Sequence, residues 1–376
     1  MSPRARVLAL VSDAWGGEGG IAQFNRNLLE ALAARGDLAI EALGLTGRAA
    51  ATPTGGARWS VPRPGSKLGF ALAALVRTLR SRPALVLSGL AGFGPLALPL
   101  ARLVRARLWT LTHGIEIWQP GPRLDNLALR HAQLVTTVSR CSRERLLGWS
   151  GLDPERVRVL HNTVDLERWR PGPRPAELVR RYDVADRRVL LTVARLSSAE
   201  RYKGHDRILP VLRQIERRSG PLRYVVAGRG DDLPRLERLA REAGVADLVT
   251  FAGFVPDADL EAHYRLADAF VMPSTGEGFG IVFLEALACG CPVVAGNRDG
   301  SVDALADGAL GRLVDPDRPA EIVDAVSATL LAGRSHDRPV AGVERFAIPC
   351  FRRQVSALAD HALGRADRRG TGAAEP

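Results

Sequence analysis

A chain of 376 residues is too long for one typical core and implies two domains. With 46% hydrophobic and 25% charged residues it has ordinary globular composition, not that of a disordered or fibrous chain. The net charge of +11 lies wholly in residues 1–170, where 23 Lys and Arg face 12 Asp and Glu; the rest carries 29 of each. That asymmetry fits a first half turned to an anionic surface, or simply an arginine-rich exterior. Cys141, Cys289, Cys291 and Cys350 form no CxxC pair and no metal-ligand spacing, which points to a reduced, cytosolic setting.

In chain order, MSPRARVLALVSD lacks the apolar core and cleavage site of a signal peptide and reads as a basic start followed by a buried strand. The glycine loop WGGEGG leads into a helix, IAQFNRNLLEALAARG, with Ile21, Phe24, Leu28, Leu29 and Leu32 on one face and Gly36 as its stop. LAIEALGL is the next strand, and the Gly/Pro/Thr/Ala-rich residues 47–67 read as a mobile loop. Residues 84–101 carry no charge and are just long enough to span a membrane, but their glycines and prolines favour a strand, a turn and a helix. RLWTLTHG, LVTTVS and VRVLHN continue the alternation, which predicts a parallel sheet covered on both faces. A proline-rich linker is expected near residues 168–178, and then the pattern restarts. RRVLLTVARL, a helix from His205 to Arg218, LRYVVAGRG, a helix in LPRLERLAREAG, and the strands LVTFAGFV, AFVMPS and CPVVAG follow. The organisation expected is a first doubly wound domain over 1–170, a second over 171–345, a helix over 346–364 returning toward the first, and a disordered tail over 365–376. Ligands of such sheets sit beyond the carboxyl ends of the strands, so two facing sheets would share a cleft.

Four constellations carry chemistry. In TGEGFGIVFLEALACG, Glu277 sits in a glycine loop at a strand's carboxyl end, and Glu285 lies inside the apolar helix that follows. Glycines let backbone N–H groups approach a ligand, and carboxylates accept hydrogen bonds from hydroxyls, so the pair suits a polyol. Arg195, at a strand end, and Lys203, at a helix start, are two cations suited to a diphosphate. The loop Gly16–Gly20 entering the first helix can hold a phosphate, though it is not the dinucleotide fingerprint GxGxxG. His113 stands at a strand end in THGIEIW; a lone histidine is more often structural than catalytic, but in a strand-end loop facing a cleft the two readings are even.

Taken together, GGIAQFNRNLLEAL, THGIEIW, VLHNTVDLERWRP, VARL…YKGHD, VAGRGDDLPRLERLA and EGFGIVFLEALACGCPVVA resemble the retaining glycosyltransferases of the GT-B fold, family 4, group 1, nearly end to end. The resemblance implies two Rossmann-like domains facing each other across a cleft. It implies that Glu285 binds the ribose of a nucleotide sugar, and that Glu277 with Phe279, Gly280 and Ile281 holds the donor sugar. Arg195 and Lys203 would neutralise the leaving diphosphate, Gly19 and Gly20 would approach it, His113 would contact the transferred sugar, and the base would lie near Val255. Asn162-Thr-Val-Asp165 departs from the family's Asn-Gly-Val-Asp, which alters one turn.

The reaction expected is same-face transfer with retention, the leaving phosphate oxygen taking the acceptor's proton. No cofactor and no metal are expected; DAD (257–259) and DPD (315–317) look like metal motifs but fall in acidic loops away from the site. The acceptor leans to a polyprenyl-diphosphate-linked glycan in exopolysaccharide synthesis, reached from the inner face of an anionic membrane by Arg102, Arg105 and Arg107 among leucines. Rival readings are an epimerase of the same fold and a non-enzymatic nucleotide or nucleic-acid binder; no aromatic stacking platform supports the last.

Overall fold

The computed structural model describes residues 4–47, 56–62 and 65–365. Short apolar runs separated by helical patterns form two all-parallel sheets. The first contains β1 (Ala5–Val11), β2 (Leu38–Gly44), β3 (Arg58–Ser60), β4 (Leu85–Ser88), β5 (Arg107–Leu111), β6 (Leu134–Thr137) and β7 (Val157–Val159). Their order is β3-β2-β1-β4-β5-β6-β7. The second contains β8 (Arg188–Val193), β9 (Leu222–Ala227), β10 (Val249–Gly253), β11 (Ala269–Met272), β12 (Val293–Gly296) and β13 (Arg312–Val314), in the order β10-β9-β8-β11-β12-β13. β4, β6, β11 and β12 are buried at every position, because helices cover both faces of such a sheet. Two cores result: one round Leu8, Leu10, Phe70, Val86 and Val135, the other round Leu190, Ile208, Leu212, Tyr224 and Val271.

The chain divides at Thr163/Val164, earlier than the expected 170. Val164 already belongs with the second unit: its N–H donates to the Phe346 carbonyl at 3.0 Å, and it bridges to Ala347. Trp169 then packs edge-on against Tyr264, with ring centroids 5.6 Å apart. The second unit ends at Ala347, and the helix Ile348–Ala362 belongs to the first. That helix lies on the helix Gly20–Ala33: Phe351 meets Phe24 edge-on at 5.9 Å, and Arg35 donates to the Ser356 carbonyl and the Asp360 carboxylate, each at 2.7 Å. The expected tail lies outside the described residues apart from Arg365, as does much of the expected loop over 47–67.

Several local expectations change. β3 lies within the segment read as a loop, and β13 follows a stretch with no strand pattern; three-residue edge strands are too short to show alternation. The helix expected from His205 to Arg218 is broken into His205–Ile208, a 3-10 turn Leu209–Val211, and Leu212–Ser219, since Pro210 has no N–H to give. Ile21 points outward at 41% exposure while Phe24, Leu28, Leu29 and Leu32 are buried. The uncharged stretch 84–101 becomes β4, a turn and the helix Gly94–Leu103; among the described residues no helix is long and apolar enough to cross a membrane. LARLVRARLW is not one amphipathic helix: Leu100 and Leu108 are buried, Leu103 is exposed, and the chain from Arg107 is β5.

Candidate functional site

In the second sheet the chain order reverses between β8 and β11, which are neighbours, so the loops leaving their carboxyl ends spread apart and leave room for a ligand. The loop after β8 carries Arg195, Glu200, Tyr202 and Lys203; the loop after β11 carries Ser274 to Gly280. The Thr275 N–H donates to the Tyr202 carbonyl at 2.9 Å, which joins the two loops.

Their side chains form an alternating charge cluster. Lys203 Nζ donates to Glu277 Oε2 at 3.0 Å and lies 3.7 Å from Glu200 Oε2, while Arg195 pairs with the other oxygen of Glu200. Lys203, Glu200 and Glu277 are largely buried, whereas Arg195 keeps 80% of its side chain in solvent. Burial alone would lower the pKa of Lys203; the facing Glu277 carboxylate, with Tyr202 and Glu200, outweighs it and raises the pKa, so the ammonium stays charged. Burial likewise pushes the Tyr202 hydroxyl up to about 12.

The Glu277 loop rests on a buried acid that sequence reading did not single out. Asp299 accepts from the Glu277 N–H and the Ser274 hydroxyl at 2.7 Å each and from the Ser301 N–H at 2.9 Å. Burial raises its pKa, and these donors offset only part of the rise. The Gly300 N–H returns to the Glu277 carbonyl at 2.9 Å. Gly300 lies so close that a Cβ there would overlap the Gly278 carbonyl. Gly280 has φ of +87° and starts the helix Ile281–Ala288, bringing the backbone of Phe279 and Ile281 to the loop edge while both side chains stay buried. Further along that helix Glu285 is 4% exposed and accepts from the Tyr264 hydroxyl at 2.8 Å. Val255 follows β10, 9% exposed, beside an exposed Phe254 on which the Arg229 guanidinium stacks at 4.5 Å.

The other predicted residues belong to the first unit, again at strand ends. β1 and β4 are neighbours where its order reverses. Gly19, with φ of +90°, precedes Gly20, the first residue of the helix Gly20–Ala33, and a Cβ on Gly19 would meet nothing. Asp13 lies under this loop; burial raises its pKa against the Ala14 N–H and Arg26. His113 lies beyond the end of β5, its ring edge-on to Phe24 at 5.1 Å. Its Nε2 is 2.9 Å from the Gly89 carbonyl, which can only accept, so that nitrogen carries the proton. Burial of the ring lowers its pKa against the pull of Glu116, whose carboxylate receives the His113 N–H, and the neutral form is favoured.

The structure thus brings Arg195, Lys203 and Glu277 into one cluster, with Glu285, Phe279, Gly280 and Ile281 on the adjoining helix. It adds Glu200 and Tyr202 from the segment after β8, Tyr264 from the helix Asp257–Leu266, and Asp299 from the segment after β12, none of which stands out by residue type alone. DAD and DPD serve arginines and helices: Asp315 and Asp317 both hold Arg298, Asp317 also holds Arg207, and Asp257 opens the helix Asp257–Leu266. Among the described residues no group of three or more His, Cys, Asp or Glu side chains gathers as metal ligands would.

Two family models match the chain: "Glycosyl transferases group 1" over residues 179–341 and "Glycosyltransferase Family 4" over residues 18–168. A "GDP-mannose-dependent alpha-(1-6)-phosphatidylinositol monomannoside mannosyltransferase" of Mycobacterium tuberculosis is 38% identical over 262 residues, 66% of each chain. A "D-inositol 3-phosphate glycosyltransferase 2" of Catenulispora acidiphila is 40% identical over 189 residues, 48% of this chain and 44% of that one. The chain therefore spans just under two thirds of the mycobacterial protein's length and less than half of the second's. Among solved structures, Anabaena HepE in complex with UDP and glucose superposes with a TM-score of 0.76 at 21% identity, over 95% of this chain and 100% of that one. At that identity the likeness speaks for the fold, two Rossmann-like units of the GT-B type.

Gly300→Ala tests the support beneath Glu277. The φ of Gly300 is −65°, so any residue can adopt the backbone and the cost is steric alone. Overpacking against a backbone carbonyl costs about 1–3 kcal/mol. The variant is expected to unfold at lower urea and to lose nucleoside diphosphate affinity in calorimetry; wild-type values in both would contradict the packing described.

Proposed function

Since the chain belongs to the group 1, family 4 glycosyltransferases, we propose that it moves a sugar from a nucleotide-diphosphate sugar to an acceptor hydroxyl with retention at the transferred carbon. The observation that carries this is the Arg195–Glu200–Lys203–Glu277 cluster at the reversal point of the second sheet. Breaking a sugar–phosphate bond leaves negative charge on the diphosphate, and cations fixed beside it stabilise that charge in the transition state. Lys203 and Arg195 do this, releasing the carboxylates they hold here. Glu277 takes hydroxyls of the sugar, the backbone of Phe279, Gly280 and Ile281 borders it, and Glu285 takes the ribose. In the first unit, Gly19, Gly20 and His113 are the residues we assign to donor contacts; in the second, the base lies by Val255.

Support for retention comes from the carboxylates. Glu277, once released from Lys203, is taken up by hydroxyls of the sugar, and Glu285 is buried against Tyr264, so neither is set free as a nucleophile or as a base for the acceptor. A leaving phosphate oxygen can take the acceptor's proton on the face it departs from, while the acceptor oxygen bonds to the same face. With two cations on the diphosphate, no metal is required. The named specificity of the mycobacterial relative makes GDP-mannose the first donor to test.

The acceptor we propose is a glycan or head group anchored in a membrane, such as a polyprenyl-linked chain of exopolysaccharide synthesis. Support comes from the helix Lys67–Ser81, whose Leu68, Leu72, Leu75 and Leu79 are 81, 59, 37 and 53% exposed along one stripe. Lys67, Arg80 and Arg82 border it. Such a face can bury leucines among lipid head groups and offer cations to acidic lipid.

Arg195→Ala and Lys203→Ala are each expected to lower turnover tenfold or more, and Lys203→Ala to cost about 2–4 kcal/mol of transition-state stabilisation, with circular dichroism unchanged. Full activity in the double variant would sink the assignment of the cluster. Proton NMR of fresh product is expected to show the donor's anomeric configuration, formed equally well in EDTA; an inverted product, or activity that EDTA abolishes and magnesium restores, would refute the mechanism. Sedimentation with anionic vesicles at low salt is expected to carry wild type down and leave Leu68→Glu/Leu72→Glu in the supernatant. Wild type remaining in the supernatant would remove the membrane reading while leaving the transfer reaction intact.

A further inference from the structure

The first unit gathers basic residues at the amino ends of its strands β5, β6 and β7. A cavity of about 370 Å³ is lined by Arg107, Arg130, His131, Arg156, His361 and Gly364, with Gln133 between them. Arg107 opens β5, Gln133 directly precedes β6, and Arg156 directly precedes β7. The cavity therefore sits at the amino ends of these strands. His113 lies beyond the other end of β5, about 16 Å away by the length of a five-residue strand.

Among the described residues no carboxylate lines this cavity. The acids of the neighbouring segments are engaged elsewhere: Asp360 with Arg35 at 2.7 Å, and Glu155 with Arg158 at 2.6 Å. Among the described residues Arg107, Arg130 and Arg156 enter no ion pair, although ion pairs are plentiful over the rest of the chain. Two of the three are held in place by backbone. Arg130 Nε donates to the Ser150 carbonyl at 3.1 Å, and Arg156 Nη2 donates to the carbonyls of Arg130, at 2.9 Å, and Ala132. Gln133 is fixed as well, its Oε1 accepting the Leu108 N–H at 2.5 Å. The Arg107 guanidinium lies against Gly364, where a Cβ would overlap it.

Basic residues are common at helix C-termini, where the helix dipole favours positive charge, and that accounts for Arg130, His131 and His361, which lie in the last turns of the helices Arg123–His131 and Ile348–Ala362. It does not account for Arg107 and Arg156, which lie at strand starts and bring two more guanidinium groups to the same space. Like charges so arranged repel one another unless an anion lies between them. Guanidinium groups held by some of their N–H donors, with others left over, match the oxygens of a phosphate group.

We propose that this cavity is an anion site, separate from the sugar-transfer site, which takes a phosphomonoester or diphosphate group. The group comes either from a soluble phosphorylated effector or from the head group of an acidic phospholipid. Both sources present the same chemistry to the arginines.

The test uses the full chain carrying Arg195→Ala and Lys203→Ala, so that the transfer site no longer competes for the probe. Calorimetry with inorganic diphosphate is expected to show one equivalent bound. Adding Arg107→Gln and His361→Gln, whose side chains make no hydrogen bond among the described residues, is expected to weaken that binding at least tenfold. Absence of binding in the first protein, or equal binding in the second, would overturn the proposal. Vesicles containing phosphatidic acid separate the sources. If Arg107→Gln/His361→Gln also abolishes sedimentation, the phosphate belongs to lipid; if only diphosphate binding is lost, it belongs to a soluble ligand. The outcome does not depend on whether the chain transfers a sugar.

Discussion

The carboxylate of Asp299 holds the second unit's ligand edge together. It receives two backbone N–H groups and a hydroxyl, and it thereby ties the chain after β12 to the loop after β11. Placing a carboxylate at 1% exposure costs desolvation energy; hydrogen bonds to a charged group return about 1.5–3 kcal/mol each. With that acid in place the Glu277 backbone cannot drift, and the Glu277 side chain meets Lys203 at a fixed separation. The glycines follow from the same constraint, because the two loops approach so closely that a side chain at Gly300 has no room.

The cluster above it is nearly self-neutral: two cations and two carboxylates share one patch. That arrangement lets a lysine remain charged although mostly buried. It also means that an incoming diphosphate competes with carboxylates already in place and gains only the difference. Selectivity then rests on groups that satisfy both sides at once: oxygens for the cations and hydroxyls for the carboxylates released from them. A nucleotide sugar carries both, whereas a bare diphosphate carries one.

The fold was legible wherever apolar runs were long enough to show a period. Strands such as β1 and β9, and helices with clear faces, stood out; the three-residue β3 and β13 could not, since pairing with a neighbour places them, not their own pattern. The apolar spacing over 205–218 suggests one helix, yet Pro210, which has no N–H to give, breaks it. At the site, Arg195, Lys203 and Glu277 were legible because residue type and strand-end position agreed. Asp299 and Tyr264 were not, because each acts through a partner far away in sequence, and Glu200 was not, because a lone acid among polar residues reads as solvated until the fold buries it beside Lys203. The apolar face was misplaced for a similar reason: whether a leucine in LARLVRARLW is buried is decided by the sheet beneath it, and the exposed stripe lies on the helix Lys67–Ser81.

The helix Ile348–Ala362 makes the second unit, in topological terms, an insertion within the first. The insertion begins at Val164 and ends at Ala347, and these two residues bridge each other, so it leaves and re-enters its host at one point. During synthesis the host sheet emerges first, yet Phe24 and Arg35 wait for Phe351 and Asp360 until the entire insert has left the ribosome. The inserted unit, whose ends are already together, can close on its own in the meantime. Loop-closure entropy grows only slowly with length, so once the insert has folded the last helix returns at modest entropic cost. The vectorial order of folding is thus the reverse of the sequence order: the domain that is translated first is the one that is completed last.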